Sequence, residues 1–129
     1  MNQARNFNTS KVIRTNLVFP QAVITDNLIF VSGTAGIDAS TGKLVSDNFE
    51  EQAIQVLKNI KTILEEAGSS LNKIVKTTIY MVSGCDPDFK IINKVYSDFF
   101  SNNAPARSAP QVMPFPGGIL ISIECIAYL

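Results

Sequence analysis

The stretch NFEEQAIQVLKNIKTILEEAGSSLNKIVKTTIYMV, residues 48–82, decides the fold because its hydrophobic period changes part-way along. Phe49, Ala53, Val56, Leu57, Ile60, Ile63, Leu64 and Ala67 recur at helical spacing and make one wide apolar stripe. Asp47 or Asn48 is placed to cap this helix, and Glu50 and Glu51 sit in its first turn, where the macrodipole favours acids. Gly68 suits the residue just past the helix end, where a left-handed backbone is needed. Ile74 to Val82 is then β-branched and aromatic, which predicts a strand. An amphipathic helix running straight into a strand calls for a sheet with a helix laid on one face.

Working outward toward the N-terminus, Asn27 to Gly33 (NLIFVSG) reads as a strong strand that stops at a glycine. Ala22 to Thr25 and Lys11 to Thr15 read as shorter strands separated by Phe19-Pro20, which leaves residues 1–10 as a flexible extension. Ile37 to Lys43 (IDASTGK) carries turn chemistry. On the other side, Asp86-Pro87-Asp88 predicts the opening of a second helix with proline in its first turn. Phe89, Ile92, Val95, Tyr96, Phe99 and Phe100 form that helix's buried face. Beyond Pro105 to Ser108 comes a loop with Pro110, Pro114 and Pro116, and the chain closes on a strand from Ile119 to Leu129. The order is β-β-β-α-β-α-β, with room for one more strand around Ala109 to Val112. The expected class is α+β, a mixed sheet with two helices on one face, as a single domain over residues 1–129.

The last strand also shows what its two faces meet. Ile119, Ile121, Ile123, Cys125 and Ala127 point one way, under the helices, while Leu120, Ser122, Glu124, Ile126 and Tyr128 point the other. The second row is too apolar for open water and too polar for a sealed core. It suits a subunit interface that holds a functional cleft. A mean hydropathy of +0.16 points the same way, because extra apolar surface on a small chain tends to end in an interface.

Composition narrows the chemistry. The chain has 11 Lys plus Arg against 11 Asp plus Glu, an even balance that gives no electrostatic support for nucleic-acid or anionic-membrane binding. Histidine is absent, which removes the commonest general base and the commonest zinc ligand together. Chemistry must then run on carboxylates, hydroxyls, backbone groups and bound water. No phosphate-cradling glycine loop, CxxC or HExxH pattern occurs, so nucleotide, redox and zinc chemistry lack support, and neither cysteine has a histidine to activate it. Cys85 and Cys125 read as reduced thiols of a cytoplasmic chain. No apolar run reaches the ~20 residues that span a bilayer. The first 15 residues hold Arg5, Lys11 and Arg14 and no acid, a faint mitochondrial transit composition discounted because a strand is expected from Lys11.

Four positions can carry chemistry. Glu124, flanked by Ile123 and Cys125 in an apolar strand, must find a partner or have its acidity perturbed; it reads as an acid/base group, a structural ion pair or an edge charge. Arg107, on a short proline-led loop, suits bidentate capture of a carboxylate or a purely structural role. Ser32-Gly33 offers a hydroxyl and an approachable backbone N–H, or a simple turn. Asn93, among apolar neighbours of the second helix, is either a buried hydrogen-bonder or solvent-facing.

Taken together, NLIFVSGTAGID with TGKLV, EQAIQVLKNIKTILEEAGSSLNKIVKTTIYM, INKVYSDFF, APARSAPQV and ISIECIAYL resemble the Rid (YjgF) family, also described as endoribonuclease L-PSP-like. The resemblance is collinear from about Lys11 onward, and the PARS loop with the IEC-IA ending is its most specific part. It implies a chorismate-mutase-like fold of the bacillar type, assembled as a homotrimer with inter-subunit clefts, and no cofactor or metal. It further implies that Arg107 grips the substrate carboxylate, that Glu124 orients the attacking water, and that Ser32 and Gly33 give a hydroxyl and a backbone contact. Asn93 matches a further cleft residue. The implied reaction is hydrolysis of 2-aminoacrylate or 2-iminobutyrate-type intermediates to 2-keto acids and ammonia. Phe19 stands where many members of the family have a tyrosine, and Ala109 where a cysteine is common. The alternatives are a non-enzymatic trimer that binds a small carboxylate or a protein and regulates translation, and an endoribonuclease.

Overall fold

Two burial patterns, one of period 3.6 and one of period 2, build this molecule around a single sheet. The computed structural model describes residues 3–14 and 16–129. Strands β1 (Arg5–Phe7), β2 (Ala22–Thr25) and β3 (Leu28–Thr34) are followed by a small hairpin, β4 (Ile37–Asp38) with β5 (Lys43–Leu44). Helix α1 (Phe49–Glu66), β6 (Ile74–Val82), helix α2 (Lys90–Phe99), β7 (Ala106–Ser108), β8 (Gln111–Val112) and β9 (Ile121–Tyr128) complete the chain. The main sheet runs β1-β2-β3-β9-β6-β7, with β8 also pairing β6. All its pairs are antiparallel except β7 and β8, which lie parallel to β6, so the sheet is mixed as expected.

Both helices lie on one face. Ala53, Val56, Leu57, Ile60, Ile63 and Leu64 of α1 and Ile92, Val95 and Tyr96 of α2 are buried against Ile29, Val31, Ile79, Met81, Ile121, Ile123, Cys125 and Ala127 of the sheet. Each Leu or Ile so buried is worth roughly 1.5–3 kcal/mol. The alternate row of β9 follows the expected parity, with Ser122 and Ile126 half-buried and Glu124 and Tyr128 exposed. No helix among the described residues is long and apolar enough to cross a membrane.

Two buried amides pin the loops that frame the sheet's end. Gln52 donates to Ser46 O at 2.9 Å and Gly118 O at 3.2 Å and accepts from Leu120 N at 2.9 Å, tying α1 to the entry of β9. Asn59 donates to Ala35 O and Ile37 O at 3.1 and 2.9 Å, fixing the chain just past β3. Their polar atoms are all engaged in a site where an unmade bond would cost about 1–3 kcal/mol.

Three local expectations need correcting. Lys11 to Arg14 is not a strand: it is turn and irregular backbone, and Thr15 lies outside the described residues. Gln21, 7 % exposed, accepts from Thr9 N and donates to Val12 O, which folds this segment down so that Val12 is buried. The sheet begins instead at β1, inside the first ten residues, where Arg5 pairs with Ile24. Pro87 is not in the first turn of α2. The helix starts at Lys90 because Phe89 adopts φ +64°, a left-handed kink, and Asp86 reaches past it to accept from Ile91 N and Ile92 N. The extra strand expected around Ala109 to Val112 is present as β8, whereas the segment around Arg107, expected as a loop, forms a short strand of its own, β7.

Candidate active site

Glu124 stands on the helix-free face of β9, opposite Thr78 of β6. Its side chain is exposed, and among the described residues no cation lies within 4 Å of it. Its partner is a phenol: Tyr80 Oη donates to Glu124 Oε1 at 2.6 Å, a length typical of a charge-assisted bond. That bond holds the Tyr80 phenol above its ordinary range, with burial and the carboxylate's charge adding to it, so Tyr80 remains a neutral donor. Ser122 lies two residues before Glu124 on the same face and pairs with Tyr80.

Ser32, Gly33 and Phe19 come together at the far end of β3, in a cleft whose walls also include Arg14, Pro20, Thr34 and Ala35. Ser32 Oγ donates to Pro20 O at 2.8 Å, and Ser32 N donates to Gln21 O, so the serine clips the Phe19-Pro20 loop to the strand. Arg14 fixes the loop's other side, with Nε donating to Phe19 O at 3.1 Å and an Nη to Leu17 O at 3.2 Å. The pairing of β3 with β9 slips between Val31 and Thr34, a bulge that turns this end of the strand. Gly33 is needed there for closeness: a Cβ would lie 3.0 Å from Ser122 Oγ. This cleft therefore borders the Glu124 face through Ser122.

Arg107 sits on β7, paired with Thr77, and Thr77 in turn faces Cys125. That parity puts its side chain on the helix side of the sheet, where its guanidinium stacks 5.0 Å from the centre of the Tyr96 ring. Tyr96 organises the loop: its hydroxyl bonds Thr77 Oγ1 at 2.9 Å and donates to Pro105 O at 3.3 Å. Burial pushes the Tyr96 phenol upward, partly offset by the Thr77 bond and the Arg107 charge. No carboxylate lies within 4 Å of Arg107 among the described residues. Asn93 is exposed on α2.

The six residues singled out in the sequence thus fall into separate groups within one chain. Ser32, Gly33 and Phe19 share a cleft, Glu124 is its neighbour through Ser122, and Arg107 and Asn93 belong to the helix side. Glu124 and Arg107 lie on opposite faces of the sheet. Tyr80, Ser122 and Arg14 are not among the site residues that the sequence singles out. The period-2 alternation of IVKTTIYMV does put Tyr80 in the row with Lys76 and Thr78, but the strand's neighbour was not readable. Among the described residues no three His, Cys, Asp or Glu side chains are grouped to hold a metal ion.

Residues 9–129 match the endoribonuclease L-PSP family. The chain belongs to this family. Rid and YjgF proteins are among its members, and the human 2-iminobutanoate/2-iminopropanoate deaminase is 42 % identical to the present chain over 109 residues, 84 % of this chain and 78 % of the human one. RidA from the Antarctic bacterium Psychrobacter sp. superposes with a TM-score of 0.89 at 37 % identity, covering 97 % of this chain and 99 % of its own. E. coli TdcF, solved with bound serine, superposes at 0.88 with 30 % identity, covering 97 % and 98 %. The α+β architecture of this Rid-family chain, a mixed sheet with two helices, is that of those structures.

Proposed function

We propose that this Rid-family chain hydrolyses small 2-imino and 2-enamino acids, of the 2-aminoacrylate and 2-iminobutyrate type, to 2-keto acids and ammonia. The observation that carries the reading is Glu124: an accessible carboxylate with no cation within 4 Å among the described residues, held by one tyrosine hydroxyl on a sheet face beside a cleft. The names of relatives at about 42 % identity support the same reaction class.

The chemistry needs little more. A protonated imine is already electrophilic, so the demand is for a positioned water and one group to move protons. Glu124 takes a proton from water as its oxygen bonds to the imine carbon. The proton then passes to the nitrogen, the carbon–nitrogen bond breaks, and ammonia leaves as the carbonyl forms. Arg107 is assigned to the substrate carboxylate, Ser32 and Gly33 to a hydroxyl and a backbone contact, and Phe19 and Asn93 to the cleft walls. Because Arg107 and Glu124 face opposite ways in one chain, the reading includes a homotrimer whose clefts combine groups from neighbouring subunits. Exposed Phe30 and Tyr128 on the helix-free side supply apolar surface for such an assembly.

Phe19 favours a second reading, a trimer that binds a small carboxylate without turning it over, since a phenylalanine brings no hydroxyl to the cleft. RNA cleavage finds no support in the even charge. The test is a coupled assay, in which a PLP-dependent threonine dehydratase generates 2-iminobutyrate while semicarbazide traps what survives. The chain should suppress semicarbazone formation; no suppression would leave the binding reading in place.

A further inference from the structure

We infer that Tyr80 is a positioning residue for Glu124, selecting which carboxylate oxygen meets the attacking water; this rests on the deaminase reading above. Oε1 of Glu124 accepts the 2.6 Å bond from Tyr80, while no protein group among the described residues bonds Oε2. The carboxylate therefore has one oxygen occupied and one presented to solvent. β6 and β9 pair continuously here, Thr78 with Glu124 and Tyr80 with Ser122, so the phenol rises from the rigid centre of the sheet. Register sets its distance, not a mobile loop.

The other hydrogen-bonding groups of that row are committed elsewhere or differ in kind. Lys76 Nζ, the cation on the same face of β6, donates to Thr77 O and Thr78 Oγ1 and makes no ion pair with Glu124. Ser122 Oγ sits against Gly33 at the edge of the cleft. Among the described residues Tyr80 alone holds the carboxylate. The bond to Glu124 holds the phenol above its ordinary range, so Tyr80 stays a neutral donor to the carboxylate.

A merely structural tyrosine and a positioning one predict different results. Tyr80→Phe keeps the ring and removes only the donor. It should lower kcat roughly 10–100-fold, the range carried by one hydrogen bond to a charged group, with KM within about twofold. A readout independent of activity is the tyrosinate absorbance titration, with Tyr80→Phe identifying the Tyr80 curve. Tyr80 should titrate above its ordinary value in the unsubstituted chain and move down in Glu124→Gln. Unchanged kcat in Tyr80→Phe, or an unshifted Tyr80 titration, would overturn the inference. If the unsubstituted chain turns over no imine, the deaminase reading has failed and this role fails with it. If it does and Tyr80→Phe is unimpaired, the positioning role alone is wrong.

Discussion

Tyr96→Phe tests how the core holds the arginine loop. The substitution keeps the ring, its 4.7 Å packing on Phe100 and its stacking under Arg107, and deletes only the hydroxyl. That hydroxyl donates to Pro105 O, so Thr77 must be the donor in the 2.9 Å Thr77–Tyr96 bond. Thr77 is 0 % exposed and would be left with an unmade bond. An orphaned buried hydroxyl costs about 1–3 kcal/mol, whereas the 3.3 Å bond to Pro105 is long and adds little. With an unfolding entropy of about 2.1 cal/mol/K per residue, this chain loses roughly 4 °C of Tm per kcal/mol, so the expected fall is about 4–11 °C. Thermal unfolding by circular dichroism would measure it, both proteins at one concentration because an oligomer's Tm depends on it. Thr77→Val added to Tyr96→Phe removes the orphan and should restore part of the loss. A Tm within 1 °C of the unsubstituted chain, or a double variant weaker than Tyr96→Phe, would refute the reasoning.

Two further perturbations follow from geometry. A Cβ on Gly36 would lie 2.8 Å from the backbone oxygen of Gln52 in α1, which cannot rotate away, so Gly36→Ala should cost about 1–3 kcal/mol. Gly33→Ala meets only the Ser122 hydroxyl and should cost less; equal urea midpoints for the two would contradict this. Burial, helped by the Glu124 charge, pushes the Cys125 thiol up to about 12. A raised folded-state value means the linked stability is complete below pH ~9 and is lost as pH rises from there toward 12. Cys125→Ala, though weaker at neutral pH, should therefore lose stability less steeply between pH 9 and 11. Parallel curves of urea midpoint against pH would show the thiol is not responsible.

The sequence disclosed the fold where one physical signal dominated. The stripe of α1, the β-branched run of β6 and the alternation of β9 each reflect burial on one side. The N-terminal edge differs because Val12-Ile13 looks like a strand, yet Val12 packs into the hydrophobic core without sheet pairing, its carbonyl held by the Gln21 side chain. Arg5-Asn6-Phe7 is too short to show a pattern and still pairs, since an edge strand needs only backbone. At α2 the local chemistry of Asp86-Pro87-Asp88 was right in kind, but a left-handed Phe89 between cap and helix has no sequence signature. For the site, Glu124 stood out by its apolar flanks, and its partner did not: Tyr80 lies 44 positions away and is set by register. That Arg107 faces away from Glu124 follows from pairing parity in β7, a three-residue strand too short to predict.

The central claim is that Glu124 moves the protons of an imine hydrolysis. Glu124→Gln keeps the size of the side chain and its ability to accept from Tyr80, and removes the basic oxygen. In the dehydratase–semicarbazide assay it should abolish the suppression of semicarbazone while a small 2-keto acid still binds with nearly unchanged affinity. Suppression equal to that of the unsubstituted chain would contradict the account.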